Sequence, residues 1–145
     1  MKKLLLSIFI VTLTFFSCAE EEVEAQNVVT GADILMNEKF DLIKGKNVGL
    51  VVNHTALLSD GTHLADAISE NEEVKLAALF GPEHGVRGDT TGAVQDAVDT
   101  KTGAPVYSLY GDSYKPAQEQ LENLDVLIYD IQDVGARFYT YISTL

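Results

Sequence analysis

Val74-Lys75-Leu76-Ala77-Ala78-Leu79-Phe80-Gly81-Pro82-Glu83-His84-Gly85-Val86-Arg87-Gly88 is the stretch that decides how this chain is read. A mostly apolar run stops abruptly at Gly81-Pro82. A carboxylate, an imidazole and a guanidinium follow at Glu83, His84 and Arg87, spaced by glycine. An apolar strand that ends in a glycine-rich polar turn is where open α/β sheets place their ligands. Pro82 disfavours helical geometry at Gly81, so the strand exits extended. Gly85 and Gly88 can take positive φ and let a ligand approach the backbone.

The pattern repeats on both sides. Upstream, Val48-Gly49-Leu50-Val51-Val52 reads as a buried strand and ends in Asn53-His54-Thr55. Between the two strands, His63 to Asn71 places Leu64, Ala65, Ala67 and Ile68 on one helix face. Before them, Gly31 to Ile43 has loosely helical spacing and ends near Gly45. Downstream, Asp89 to Pro105 is polar and reads as a long loop, a length usually reserved for function. Val106 to Tyr110 is a short third strand. Pro116 suits the first turn of a helix that continues over Ala117 to Leu124. Val126 to Asp130 is a fourth strand with Ile131 to Arg137 as its exit, and Phe138 to Leu145 begins a further helical segment.

Strands alternating with helices predict βαβ units and a parallel sheet. The fold class is therefore α/β, a three-layer domain with a mainly parallel sheet. In such a sheet all strand C-termini share one edge, so four polar clusters converge there. They are Asn53-His54-Thr55; Glu83-His84 with Arg87; Ser108 with Tyr110; and Asp130 with Gln132, Asp133 and Arg137. Four clusters at four consecutive strand ends point to a ligand cleft.

Composition narrows the ligand. The chain has 145 residues, 46% hydrophobic and 22% charged, which fits a globular domain with a real core. Its formal net charge of −12 leaves no basic stripe to neutralise phosphates, so nucleic acid is not a partner. The same charge means that an anionic substrate has to be held by locally placed cations. Cys18 is the only cysteine, which excludes an intrachain disulfide and a cysteine-based zinc site.

The residues support several chemistries. Glu83, with an apolar strand behind it, suits a general acid whose pKa is raised by burial. Asp130 or Asp133 supplies a second carboxylate, and a carboxylate pair across a cleft is the glycosidase arrangement; Asp130 equally suits capping of the turn that follows it. His54 and His84 fit substrate donors, metal ligands or satisfied polar groups. No HExxH or comparable spacing is present, and no metal is assigned. Arg87 and Arg137 suit clamps for a substrate carboxylate, or pairing with Asp89 or Asp133. Tyr139 and Tyr141 suit stacking on a sugar ring, or packing. No GxGxxG, P-loop or GxSxG element occurs, which counts against nucleotide binding and serine hydrolase chemistry.

The first residues read as a targeting segment. Lys2 and Lys3 precede an apolar run from Leu4 to Phe16 that is short for a membrane span. Ser17-Cys18 resembles a bacterial lipoprotein cleavage site, with Cys18 as the lipidated residue. Glu20, Glu21, Glu22 and Glu24 follow in what reads as a tether. The expectation is an exported protein, lipid-anchored to the bacterial membrane on its periplasmic or cell-surface side.

Leu79 to Gly88, Asp99-Thr100-Lys101-Thr102-Gly103-Ala104-Pro105-Val106-Tyr107-Ser108-Leu109-Tyr110-Gly111, and Asp130-Ile131-Gln132-Asp133-Val134-Gly135-Ala136-Arg137-Phe138-Tyr139-Thr140-Tyr141 together resemble the exo-β-N-acetylmuramidase (NamZ-type) family, from Gly31 to Leu145. The resemblance implies a Rossmann-like catalytic domain that removes terminal N-acetylmuramic acid from peptidoglycan fragments without a cofactor. It implies that Glu83 matches the catalytic glutamate; Asp130 stays the second catalytic candidate on the reading of the residues. Asn53, His54, His84, Arg87, Gln132, Asp133, Arg137 and Tyr139 then become the substrate-binding candidates, with muramic acid saccharides as partners. The expected division is a signal peptide over residues 1–17, a tether over 18–30, and an N-terminal part of the catalytic domain over 31–145, incomplete at its C-terminus. The alternatives are a non-catalytic cell-wall saccharide-binding lipoprotein and a metal-dependent hydrolase.

Overall fold

A computed structural model describes residues 28–89 and 95–145. The signal segment, Cys18 and most of the tether lie outside the described residues. Strand β1 (Asn47–Val52) is buried along almost its whole length, as its unbroken apolar sequence requires. Strand β2 (Lys75–Gly81) follows helix α2 (Leu64–Ser69) and pairs with β1 in parallel. Strand β3 (Ala97–Val98) runs antiparallel to β4 (Pro105–Ser108), which lies parallel to β2. Strand β5 (Val126–Asp130) returns to the other side of β1, again parallel. The sheet order is β3-β4-β2-β1-β5, so the direction of winding reverses between β1 and β5.

Two apolar layers flank the sheet. Val48, Leu50 and Val52 pack with Leu64, Ala65 and Ile68 of α2 and with Ala32 of helix α1 (Gly31–Asn37). On the opposite face, Val51, Ala78, Phe80 and Leu109 pack with Leu121 and Leu124, at and beyond the short helix α3 (Gln118–Leu121). Alternation along β1 sends successive side chains to the two layers. The result is the expected three-layer α/β arrangement.

Gly49 is where the second layer comes closest. A Cβ there would lie 2.5 Å from Leu124 Cδ1 and 3.2 Å from Phe80 Cε2. The missing side chain lets Leu124 sit against the central strand.

Four sequence expectations are corrected. The polar stretch 89–105 contains β3, a two-residue strand held through Val106 and Pro105, because β4 has an open edge that takes a partner. The helix expected over 117–124 closes after Leu121, and the one over 138–145 is only a 3-10 turn at Tyr141–Thr144. Both are too short to be stable helices by local propensity. The long helix expected to Ile43 also divides, into α1 and a 3-10 turn at Phe40–Leu42. No helix among the described residues is long and apolar enough to cross a membrane.

Helix α1 begins with a capping box. Thr30 Oγ1 accepts from the Asp33 backbone N–H at 3.1 Å, and Asp33 Oδ2 accepts from the Thr30 backbone N–H at 2.8 Å. Asp33 also accepts from the backbone and hydroxyl of Ser59, tying α1 to the loop after β1. Thr30→Ala is expected to lower unfolding free energy by about 1 kcal/mol, the usual loss for a cap. A denaturant titration that shows no change in midpoint would remove the cap from the list of stabilising contacts.

Candidate active site

All four parallel strands deliver their C-termini to one edge, and the four polar clusters gather there. Hydrogen bonds tie neighbouring exits together. The Leu109 N–H donates to the Gly81 carbonyl at 2.8 Å, joining the exits of β4 and β2. The Gln132 backbone N–H donates to Thr55 Oγ1 at 2.9 Å, joining the exits of β5 and β1.

Glu83 follows the buried Pro82 and is itself partly buried. Thr140 Oγ1 donates to its Oε2 at 3.2 Å. The Tyr110 hydroxyl also hydrogen-bonds Glu83, and this bond with the glutamate's charge raises the phenol above its ordinary pKa. Glu83 is thus held from the exits of β4 and β5. The turn behind it is tight. His84 has φ of 70° and Gly85 of 74°, so two successive residues are left-handed. For His84, a non-glycine residue, that conformation is uncommon and is retained where surrounding structure enforces it. Gly88, also left-handed at 72°, lies against His54, where a Cβ would come within 2.8 Å of Nδ1.

Asn53 is buried at the end of β1, and its Oδ1 accepts from the backbone and hydroxyl of Thr55 at 2.9 and 2.6 Å. Among the described residues its Nδ2 has no hydrogen-bond partner. The Asn53 carbonyl accepts from His63 Nε2 at 2.9 Å, while His63 Nδ1 accepts from the Ala65 N–H at 3.2 Å. Those two bonds fix the tautomer with the proton on Nε2. Burial holds the His63 imidazole below its ordinary pKa, against the pull of the Asn53 carbonyl. His63 had no place among the sequence candidates beyond starting a helix. Its capping position before an apolar helix face was the available signal.

Asp130, paired in register with Val52, borders a small cavity of ≈ 230 Å³ beside α1, with Ala32, Leu64 and Ile128. Burial raises its carboxyl above the usual carboxylate range, with the His63 imidazole acting in the opposite sense. Gln132, Asp133, Arg137 and Tyr139 are all exposed on the β5 exit loop. Asp133 Oδ1 accepts from the Gly135 N–H at 2.7 Å, a local turn bond. The Tyr139 ring packs against Phe138 and Tyr141, with centroids 5.6 and 6.1 Å away. Among the described residues, no group of three or more His, Cys, Asp or Glu is arranged to hold a metal ion.

Arg87 does something other than clamp a substrate. Its Nε and Nη2 donate to Asp99 at 3.0 and 2.8 Å, and its Nη1 and Nη2 donate to Asp66 at 3.2 and 2.8 Å. Lys101 adds a further ion pair to Asp66. The side chains of Asp66 and Asp99 are only 4% and 6% exposed. Two buried carboxylates require a cation that stays, so the guanidinium is committed to them. The alternative of pairing with Asp89 gives way to Asp66 on α2 and Asp99 beyond β3, sites that sequence proximity does not suggest.

These carboxylates predict an acid limit to stability. Burial alone would raise Asp66, but hydrogen bonds and charge from Arg87 and Lys101 outweigh it and the carboxyl lies below its ordinary range. Asp99 is held well below by Arg87 and Thr102, and Asp33 is lowered to about 2 by the backbone N–H groups of Ser59 and Thr30. A depressed folded pKa stabilises the fold above the unfolded value and ceases to do so as pH falls through the folded one. Unfolding midpoints are therefore expected to hold above the ordinary aspartate pKa of about 4 and to fall steadily toward pH about 2. A midpoint that stays level across that window contradicts the assigned pairs.

A cleft of ≈ 770 Å³ opens between the start of β3, the exit of β4 and the start of α3. Tyr110 joins this cleft to Glu83, since its hydroxyl reaches Glu83 and the residue lines the cleft.

The chain matches the family described as exo-β-N-acetylmuramidase NamZ, N-terminal, over residues 48–145. It is 50% identical over 120 residues to the peptidoglycan β-N-acetylmuramidase NamZ of Bacillus subtilis (strain 168), covering 81% of this chain and 29% of that protein. A crystal structure of a DUF1343 family protein from Bacteroides fragilis NCTC 9343 superposes with a TM-score of 0.73 at 48% identity, covering 81% of this chain and 29% of that one. The chain thus spans under a third of the length of these relatives.

Proposed function

The chain belongs to the family of exo-β-N-acetylmuramidase NamZ N-terminal domains, and from that premise we propose that it carries the general acid of a glycosidase releasing terminal N-acetylmuramic acid from peptidoglycan fragments. The observation that carries the reading is Glu83, partly buried at the C-terminal edge of the sheet, held by Thr140 and by Tyr110, which also lines a cleft of ≈ 770 Å³. That volume is in the range of small-ligand sites.

In this reading Glu83 gives its proton to the glycosidic oxygen as the bond from that oxygen to C1 of the sugar breaks. The leaving saccharide departs as a neutral alcohol, and positive charge at C1 is quenched by an oxygen nucleophile, finally water. Asp130 is the second carboxylate. Burial raises its carboxyl above the usual range, the direction that makes a carboxylate a stronger base toward water. Asn53, His54, His84, Gln132, Asp133, Arg137 and Tyr139 border the same edge as sugar-binding candidates.

The direct test incubates the intact protein with defined muramic acid-terminated fragments and follows free N-acetylmuramic acid by mass spectrometry. Release of single terminal residues supports the reading. Binding without release favours the saccharide-binding alternative.

We also propose export and anchoring through Cys18, on the strength of the apolar run and the Ser17-Cys18 junction. The mature N-terminus should be a diacylated or triacylated cysteine by mass spectrometry; an unmodified terminus at another residue would overturn it.

A further inference from the structure

The muramidase reading leaves one question that the side chains address: which cation receives the carboxylate that distinguishes N-acetylmuramic acid from other hexosamines. With a net charge of −12, the chain as a whole repels that carboxylate. Its recognition depends on a cation inside the site.

The described residues contain eight lysines and arginines. Arg87 and Lys101 are bound to Asp66 and Asp99, and Lys44 is paired with Glu73. Lys75 lies at the opposite edge of the sheet, at the start of β2, as Lys46 does just before β1. Lys39 follows α1. Arg137, exposed like Lys115, borders neither of the two clefts described above.

Lys115 remains. It lines the ≈ 770 Å³ cleft together with Gln95, Ser108, Tyr110, Ser113 and Gln120. Among the described residues it has no carboxylate partner. The hydroxyls and amides of the cleft are side chains that hydrogen-bond sugar hydroxyls and an acetamido group. The cleft is joined to Glu83 through the Tyr110 hydroxyl.

We propose that this cleft is the saccharide subsite and that Lys115 is its specificity determinant, binding the lactyl carboxylate of N-acetylmuramic acid. The proposal rests on the muramidase reading for the identity of the sugar. Asp96 and Asp112 also line the cleft, and Asp96 Oδ1 accepts from the Ser108 N–H at 2.9 Å. Their charges oppose an anion in the cleft, so a carboxylate bound there needs Lys115 to offset them. A hexosamine without the lactyl group gains nothing from Lys115.

The test is a calorimetric titration of N-acetylmuramic acid and of N-acetylglucosamine into the intact protein, wild type and Lys115→Met. Wild type should bind the muramic sugar more tightly. Lys115→Met should weaken the muramic sugar at least about tenfold, the scale of one hydrogen bond to a charged group, and leave the glucosamine sugar within about twofold, below that scale. Equal weakening of both sugars, weakening of neither, or no preference in the wild type overturns the proposal. The readout is binding, so it is separate from turnover. If the wild type shows this Lys115-dependent preference but releases no sugar, the hydrolase reading fails and the subsite stands. If it releases muramic acid but Lys115→Met binds it normally, the subsite fails and the hydrolase stands.

Discussion

Replacing Glu83 with Gln in the intact protein is expected to lower turnover of an N-acetylmuramic acid glycoside at least ~10²-fold, the lower end of general acid–base effects. Glutamine keeps the size of the side chain and its ability to accept hydrogen bonds from Tyr110 and Thr140. It removes only the proton that can be given away. The turn that carries it, with left-handed His84 and Gly85, is built by backbone and does not depend on the carboxyl. The sugar should therefore still bind, and the loss should fall on kcat. An aryl glycoside with a good leaving group needs less help from an acid, so the deficit should shrink on such a substrate. If Glu83→Gln stays within about threefold of wild type, well under a general-acid effect, then Glu83 is not the acid, and Asp130 or Asp133 is the next candidate.

Arg87→Met is expected to destabilise the fold by about 3–5 kcal/mol, the usual cost of breaking a buried ion pair from one side. The substitution leaves Asp66 and Asp99 buried with Lys101 alone to answer two charges, and Lys101 is 65% exposed. Asp66 lies on α2, Asp99 lies beyond β3, and Arg87 ends the loop that begins at Glu83. Loss of the guanidinium should loosen all three together. The measurement is the midpoint of denaturant unfolding, with Asp66→Asn combined with Asp99→Asn in the Arg87→Met background to relieve the unpaired charge. Partial recovery in that triple variant is expected. A loss below about 1 kcal/mol, the level of an exposed pair, together with weakened muramic acid binding, would return Arg87 to the role of substrate clamp.

Unbroken apolar runs located the four parallel strands, because strands buried on both faces must be continuously apolar. The register of Val126–Asp130 and Asn47–Val52 falls within a residue of the expected runs. The convergence of Glu83, Asn53 and Asp130 on one edge followed from the parallel order. The short elements were not legible in this way. The helices around 117–124 and 138–145 carry helical residues, but propensity is a weak preference that local context cut to single turns.

The sequence by itself determined the sheet, its ligand edge and the residue types available there, since each depends on local apolar runs and the punctuation of Gly and Pro. Only the tertiary structure decided which partners the charged groups take. Arg87 lies 21 positions from Asp66 and 12 from Asp99, and nothing local distinguishes those aspartates from Asp89 beside it. Burial makes the distinction: a carboxylate removed from water has to find a cation, whereas one left in water does not. Tertiary contact likewise left Lys115 in a cleft without a carboxylate partner among the described residues and fixed His63 against the Asn53 carbonyl, because both depend on where separate segments meet in space rather than on the residues beside them.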